Sequence, residues 1–413
     1  MVAVPPDEQQ APVVPMSPRA IVGIATLSLG SFLVGAMLTV VIPVLPNIAR
    51  DMGGGGNASD VAVAVQMLIA MPMLGLVLGG FGAGFLFRHF QPRTVFLGGL
   101  VAYGLIGVAG YALSLPLLVA SRLLIGIVAA VIAAASTALV GERVPEAMRP
   151  RVLGWSVAGA AALGIIAMIA SGRIADAYGW RISFLLFPVI AGLMFALVAT
   201  CSAPSPRGPQ AAGHRTRDWR GLAALWPVFA FVVLVNMTAF TTNSQSSFLL
   251  AEIGIDSAQG RAQMMGINQA LIFATAILFP VARRLIGMGM LPFAILAIIG
   301  SGLLLFARAH DMVAAAIGLA LLGIGNGLLF PYQSNLLLQR ARPDLRGQAA
   351  GLVVSCQFLA DAINPLVLGP VIIMFGLRSA IAWVGLITLA GCALALVGGL
   401  RSRGASQAPA GVA

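Results

Sequence analysis

Two ionisable side chains fall inside long apolar runs of this sequence, where charge is costly and therefore informative. Asp361 lies at the midpoint of the run from 349 to 373. Gln357 stands four residues before it and Asn364 three after, so on a helix all three share one face. An ionised carboxylate at the bilayer centre costs about 2.5–3.5 kcal/mol on insertion scales, and protonation removes that charge. A carboxyl hydrated in one state and enclosed in another can take a proton from one side and release it to the other. Gln357 and Asn364 are placed to hold it and to touch a solute. The structural alternative is that Asp361 bridges helices or offsets the helix break at Pro365. The second group is Arg122. Its five donors can satisfy backbone carbonyls of a neighbouring span and fix that helix pair. Equally, it can contact an anionic solute or modulate a proton site, and both readings stand.

Amides form a third group, because burying one without a partner is expensive. Asn236, Asn243, Asn268, Asn326, Gln333, Gln357 and Asn364 all fall in the second half of the chain and are the candidates for a solute-binding wall. The first half offers mainly hydroxyls, among them Thr26, Ser28, Ser31, Thr39, Ser136 and Thr137, besides Gln66. Most such hydroxyls bond their own helix backbone. One wall is therefore apolar and the other rich in amides, which suits an amphipathic organic solute better than a sugar. Met71, Met73, Met168 and Met194 can make a pocket adaptable, but ordinary packing is the commoner use at these spacings. The pairs Gly75 and Gly79, Gly80 and Gly84, and Gly323 and Gly327 permit close helix contact.

The elements that carry these residues are membrane spans. The chain has 413 residues, 59% of them hydrophobic and 9% charged. Soluble domains carry about 25% charged residues. Every basic residue is Arg, so a phosphate-binding loop that needs Lys and Schiff-base chemistry are both excluded. Cys201, Cys356 and Cys392 have no metal spacing, and His89, His214 and His310 fall in predicted loops. The residues needed for an intramembrane enzyme, clustered His, Asp or Glu at one face, are not evident, and no cofactor is expected.

The chain also repeats itself. Arg149, Gly154, Gly179 and Arg181 bracket one apolar run; Arg346, Gly351, Gly376 and Arg378 bracket another, each 197 residues later. Four matches at one register indicate a duplication. Twelve apolar spans can be counted, at 20–46, 61–87, 94–113, 117–141, 151–172, 182–200, 224–247, 262–282, 291–307, 313–338, 349–373 and 379–400. The expected fold is an all-α membrane protein of twelve transmembrane helices in two pseudo-symmetric six-helix bundles. Residues 1–19 read as a disordered cytoplasmic tail, 20–200 as the first bundle, 201–223 as a cytoplasmic linker, 224–400 as the second bundle and 401–413 as a second tail. Gly53 to Gly56 read as a flexible external tip. Loops on the side of the termini hold 17 Arg and those on the other side six. The positive-inside rule then places both termini in the cytoplasm, and the expected location is a bacterial inner membrane. The net charge of +11 is a topology and lipid-headgroup signal, and no nucleic-acid partner is expected.

Short motifs add a resemblance. Arg122 and Gly126 in span four, Glu142, Arg143, Val144, Pro145 and Glu146 followed by Arg149, Pro150 and Arg151 after it, and Gly179, Trp180, Arg181 and Phe184 at the start of span six are similar to those of the major facilitator superfamily. They resemble its drug and metabolite:proton antiporter branch most. Pro43 and Pro46 stand where that family often has prolines ending span one. The resemblance implies alternating access between the bundles, with spans seven, eight, ten and eleven lining the second half of the cavity. It implies a conformational role for Gly84, Arg88, Arg93, Gly126, Gly172 and Pro365.

Two departures matter. The span 2–3 loop has Arg88 where the family has an acid and Gln91 where it has Gly, so the latch formed there in relatives is expected to be weaker or differently paired. The span-five antiporter motif has Ala167 and Met168 where Pro follows Gly, and keeps only Gly172 of the final pair. At the repeat positions stand Asn364 and Pro365, so the second half holds the proline missing from the first. The reading is a secondary transporter, a monomer, exporting a small amphipathic compound against proton influx, with Asp361 and Arg122 in coupling. The alternative is an uptake permease for a small organic anion, with Arg122 as its contact.

Overall fold

The computed structural model describes Thr26, Gly30 and residues 32–52, 58–144, 148–201, 219–342 and 345–406. Expectations for residues 1–19, for the tip Gly53 to Gly56, for Pro145 and Glu146, for most of the linker 201–223 and for the end of the stretch 401–413 fall largely or wholly outside them.

Twelve crossing elements account for the described chain. They are α1 (Phe32–Met52), α2 (Ala58–His89), α3 (Pro92–Ala109), α4 (Leu115–Arg143), α5 (Arg149–Tyr178) and α6 (Trp180–Thr200). The second set is α7 (Trp226–Glu252), α8 (Ala258–Ile277 continued by Phe279–Ile286), α9 (Leu291–Ala307), α10 (Met312–Arg340), α11 (Arg346–Phe375) and α12 (Leu377–Ser406). Ten are long and apolar enough to cross alone, α8 crosses as a bent pair, and α9 is a shorter apolar helix. Only helices and closed barrels satisfy their backbone in hydrocarbon, and this all-helical chain takes the first solution.

The duplication in the sequence is a duplication of structure. α5 and α11 each run for 30 residues, each beginning at its repeated Arg. Both stop at glycines of positive φ, Gly179 at 90° and Gly376 at 83°, a region that any Cβ would strain. Packing repeats as well. In the first set α2 lies on α4, α3 on α6 and α1 on α5; in the second, α8 lies on α10, α9 on α12 and α7 on α11. Gly126 shows why: a Cβ there would run into the backbone carbonyl of Pro72 on α2. At its counterpart 197 residues on, Gly323, a Cβ would come within 2.6 Å of the Asn268 carbonyl on α8. Van der Waals contact between backbones holds such crossings where lipid is as apolar as the side chains. The two sets meet through α2 against α11 and α5 against α8.

Two boundaries differ from the spacing. Pro43 and Pro46 do not end α1. They lie in a 3₁₀ turn at Ile42–Val44 and in the first turn of the helix that follows, which runs to Met52. Proline is tolerated there because those N–H groups have no helical partner. α8 bends by 64° between Ile277 and Phe279, where Pro280 starts a new helix.

Candidate functional site

α11 brings Asp361 to its midpoint and leaves it unpartnered. Pro365, inside the helix, has no N–H for the carbonyl of Asp361 four residues earlier. The side chain is half-buried. Among the described residues no hydrogen bond or ion pair reaches its carboxylate. Gln357 and Asn364, expected to hold it, are engaged elsewhere. Gln357 Nε2 donates to Gln333 Oε1 on α10 at 2.7 Å. Asn364 Nδ2 donates to the carbonyl of Met237 at 2.7 Å and to Thr241 Oγ1 at 2.9 Å. Its Oδ1 accepts from Ser244 Oγ at 2.9 Å. These amides stitch α11 to α10 and α7. Longer-range partners outcompeted the neighbours on the same helix face.

A second cluster surrounds a cavity of about 20 Å³, enough for a single water. Thr39, Ile42 and Met168 line it from the first set of helices. Thr242, Asn243, Ser246, Met265, Asn268 and Gln269 are among those lining it from the second. Asn268 Nδ2 donates to the carbonyl of Leu319 at 2.9 Å, while Thr39 Oγ1 and Thr242 Oγ1 are buried without a partner. The first side of this cavity is mostly apolar and the second mostly polar. Of the four methionines singled out, Met168 alone lines this cavity. Asp361 is not among its lining residues. What lies between the clusters is α7: Thr241 and Ser244 face Asn364, and Thr242, Asn243 and Ser246 face the cavity.

The remaining amides stand apart. Asn236 is buried and donates to Val232 of its own helix at 2.7 Å. Asn326 is buried with Oδ1 unpartnered. Gln333 is fully buried, its Nε2 also unpartnered.

Arg122 is fully buried, yet among the described residues it satisfies no span-one carbonyl. Its guanidinium lies 5.0 Å from the Phe184 ring centroid and 5.2 Å from that of Phe187, both on α6. Nη2 makes a long 3.4 Å contact with Ser121 Oγ, and Nε and Nη1 have no hydrogen-bond partner. The hydroxyl of Tyr103 makes the bond to α1, donating to the Leu33 carbonyl at 2.9 Å. Arg122 is thus held by ring faces inside the first set.

The sequence motifs separate in the same way. Gly126 and Gly172 are packing positions: a Cβ on Gly172 would come within 2.7 Å of the Ala258 carbonyl. Gly84 faces open space. Arg88 is exposed, and among the described residues neither it nor the buried Arg93 Nε has a partner.

Sequence reasoning missed the main polar contact between the two sets, at the end remote from the chain termini, termed the distal end. Arg261 was counted as a loop charge. It is fully buried. Its Nε donates to the Pro43 carbonyl at 3.0 Å, Nη1 to the carbonyls of Ile255 and Asp256, and Nη2 to Asn47 Oδ1. The Asp176 carboxylate accepts from the backbone N–H of Ala258 at 2.7 Å and of Gln259 at 2.8 Å, capping α8 from α5. An acid at a helix N-terminus meets both free donors and the positive end of the dipole. Ser247 Oγ also donates to the Pro43 carbonyl, and Arg50 pairs with Asp256 at 2.9 Å. The legible signal was Pro43, whose break in α1 exposes a carbonyl.

Comparison with known proteins follows from this architecture. The family model described as Major Facilitator Superfamily matches residues 27–365. A solved D-xylose-proton symporter is similar to the chain with a TM-score of 0.74 at 16% identity, covering 90% of this chain and 96% of its own. A bacterial homolog of the human lysosomal transporter Spinster, inward-facing and unoccupied, gives 0.71 at 14%, covering 92% and 95%. The human organic anion transporter gives 0.61 at 18%, covering 92% and 100%. No curated protein sequence matches.

Proposed function

The chain belongs to the major facilitator superfamily, whose members are membrane transporters and not enzymes, and on that premise we propose that it exports a small amphipathic organic compound in exchange for protons. Residues 20–200 and 224–400 form the two bodies that rock about a midplane site. The protein works as a monomer in a bacterial inner membrane with both termini in the cytoplasm. The observation that supports this reading is the two-sided polar stretch of α7. One face holds Asn364, three residues from the unpaired Asp361; the other lines the cavity between the sets. Protonation at Asp361 and solute in the cavity then act on the same segment of helix.

Asn243, Asn268 and Gln269 serve as the polar wall for the solute, and Met168 and Ile42 as the apolar one. Gln333, Gln357 and Asn364 act as positioning residues for α11. The bridges made by Arg261 and Asp176 support a resting state closed at the distal end, of the kind named for the inward-facing Spinster homolog. The alternative, uptake of an organic anion, loses support because Arg122 lies on aromatic rings and not among the cavity-lining residues.

The test uses everted membrane vesicles loaded against a panel of amphipathic dyes, with and without an imposed pH gradient. Wild-type protein should accumulate at least one dye only when the gradient is present. Asp361→Asn should retain dye binding and lose gradient-driven accumulation. Unchanged accumulation and pH dependence in Asp361→Asn would sink the role of Asp361, and accumulation indifferent to the gradient would sink proton exchange itself.

A further inference from the structure

Helix α8 breaks the internal symmetry at one end. Its counterpart α2 crosses as a single helix of 32 residues. α8 instead turns by 64° and finishes with Phe279–Ile286, about 12 Å of helix, at the end of the bundle shared with the chain termini. A segment turned this far from its span lies across the membrane normal rather than along it.

The side chains fit that orientation. Phe279 is buried and Ala282 half-buried, which seats one face on the bundle. The outer face carries Leu278, Val281 and Leu285, exposed by 54%, 53% and 79%. Their spacing makes one apolar stripe on a helix. Arg284 stands beside it and Arg283 on the far side of the helix; both are exposed and make no ion pair or hydrogen bond among the described residues. Large apolar side chains flanked by unpaired cations are the composition of a helix lying in the membrane interface.

We infer that Phe279–Ile286 is a binding surface for anionic phospholipid. Leu278, Val281 and Leu285 enter the acyl boundary. Arg283 and Arg284 meet the headgroup phosphates, which the planar guanidinium matches with paired hydrogen bonds. Charge complementarity selects the anionic headgroup: two adjacent cations with no acid to neutralise them face the leaflet. This surface is separate from the solute site and holds whatever the solute is.

The experiment is lipid retention by native mass spectrometry of the full chain, extracted from nanodiscs of phosphatidylcholine and phosphatidylglycerol in equal amounts. Wild-type protein should retain phosphatidylglycerol preferentially. Arg283→Gln combined with Arg284→Gln should lower that preference roughly tenfold or more, since each surface arginine contributes separately. Leu285→Ser should lower retention of both lipids while keeping the preference. Arg340→Gln, which removes an exposed charge at the end of α10, should change neither. An unaltered preference in the double variant would overturn the inference. So would equal retention of the two lipids by wild-type protein, or loss of the preference on adding inorganic phosphate at millimolar concentration, which would mark a soluble-anion site.

Discussion

Arg181 and Arg378, 197 residues apart, perform the same task at the distal end of the two helix sets. Arg181 Nη1 donates to the carbonyl of Tyr111 just beyond α3 at 3.1 Å, and its guanidinium stands 3.7 Å from the carboxylate of Asp51 at the end of α1. Arg378 Nη1 donates to the carbonyls of Ala307 and Ala309 at the end of α9, at 3.2 and 2.6 Å, and Nε lies 3.3 Å from Glu252 at the end of α7. Each ties off the carbonyls that a helix C-terminus leaves unpaired. The second clasp makes one more carbonyl bond than the first. Hydrogen bonds to charged groups contribute about 1.5–3 kcal/mol each. Arg378→Gln should therefore lower the thermal unfolding temperature in detergent more than Arg181→Gln. Equal losses would mean that the additional bond contributes nothing.

The distal closure should depend on Arg261. Removing it leaves the Pro43 carbonyl and Asn47 without their buried donor. Losing such a contact costs about 1–3 kcal/mol or more for a charged group. Arg261→Met should raise the labelling rate of a cysteine placed at Ser246 by an impermeant maleimide applied from the distal side, by about tenfold. Labelling at the wild-type rate would show that Asp176 and Arg50 suffice to hold the closure.

Gly126 and Gly172 should respond differently to a methyl group. Gly126 packs inside one helix set, so a Cβ there is misplaced in every conformation. Overpacking of this kind costs about 1–3 kcal/mol. Gly126→Ala should lower stability and yield together. Gly172 meets α8 across the two sets, so Gly172→Ala should keep the unfolding temperature within about 1 °C, under 1 kcal/mol for a chain of this size, and open the distal side, read by the same cysteine labelling. A large stability loss in Gly172→Ala with no gain in labelling would refute the distinction.

Asn364 and Asn236 make a further contrast. Both are buried amides on apolar helices. Asn364 joins α11 to α7 through three hydrogen bonds, whereas Asn236 bonds only the turn above it. Asn364→Ala should reduce transport about a hundredfold or more, and Asn236→Ala about tenfold or less, in vesicle assays normalised to protein; these sizes follow from about 1–1.5 kcal/mol per lost bond. Comparable effects would place Asn236 in contact with solute.

What the sequence disclosed was whatever repeats or accumulates along the chain. Twelve apolar runs became twelve crossing elements because length and composition alone decide that question in a bilayer. The register of Arg149 with Arg346 carried through to helices of equal length, since their ends are set locally by glycine. Asn243 and Asn268 line one cavity. The pairings were not legible. Gln357 chose Gln333 over Asp361, and Asn364 chose α7, because a helix face specifies direction but not what stands opposite. Arg261 read as a loop charge because its acceptors, Pro43 and Asn47, are more than 200 residues away. The company of Arg122 was not legible either: an arginine held by phenylalanine faces has no local signature.

The exchange of Met168 for Pro365 between the repeats has a mechanical consequence. α5 is a rod without an internal proline, about 45 Å long, and it touches the opposite set near its distal end through Gly172 and Asp176. Tilting such a rod moves both its ends, so a displacement near Arg149 is transmitted undiminished to the closure. α11 carries Pro365 and Pro370 within an equal length, and each proline removes a backbone hydrogen bond, so α11 bends at lower cost than α5, with Asp361 one turn before Pro365. A push that α5 would carry from end to end as through a crowbar would be taken up in part at the prolines of α11. The two repeats, built on one pattern, thus differ in stiffness.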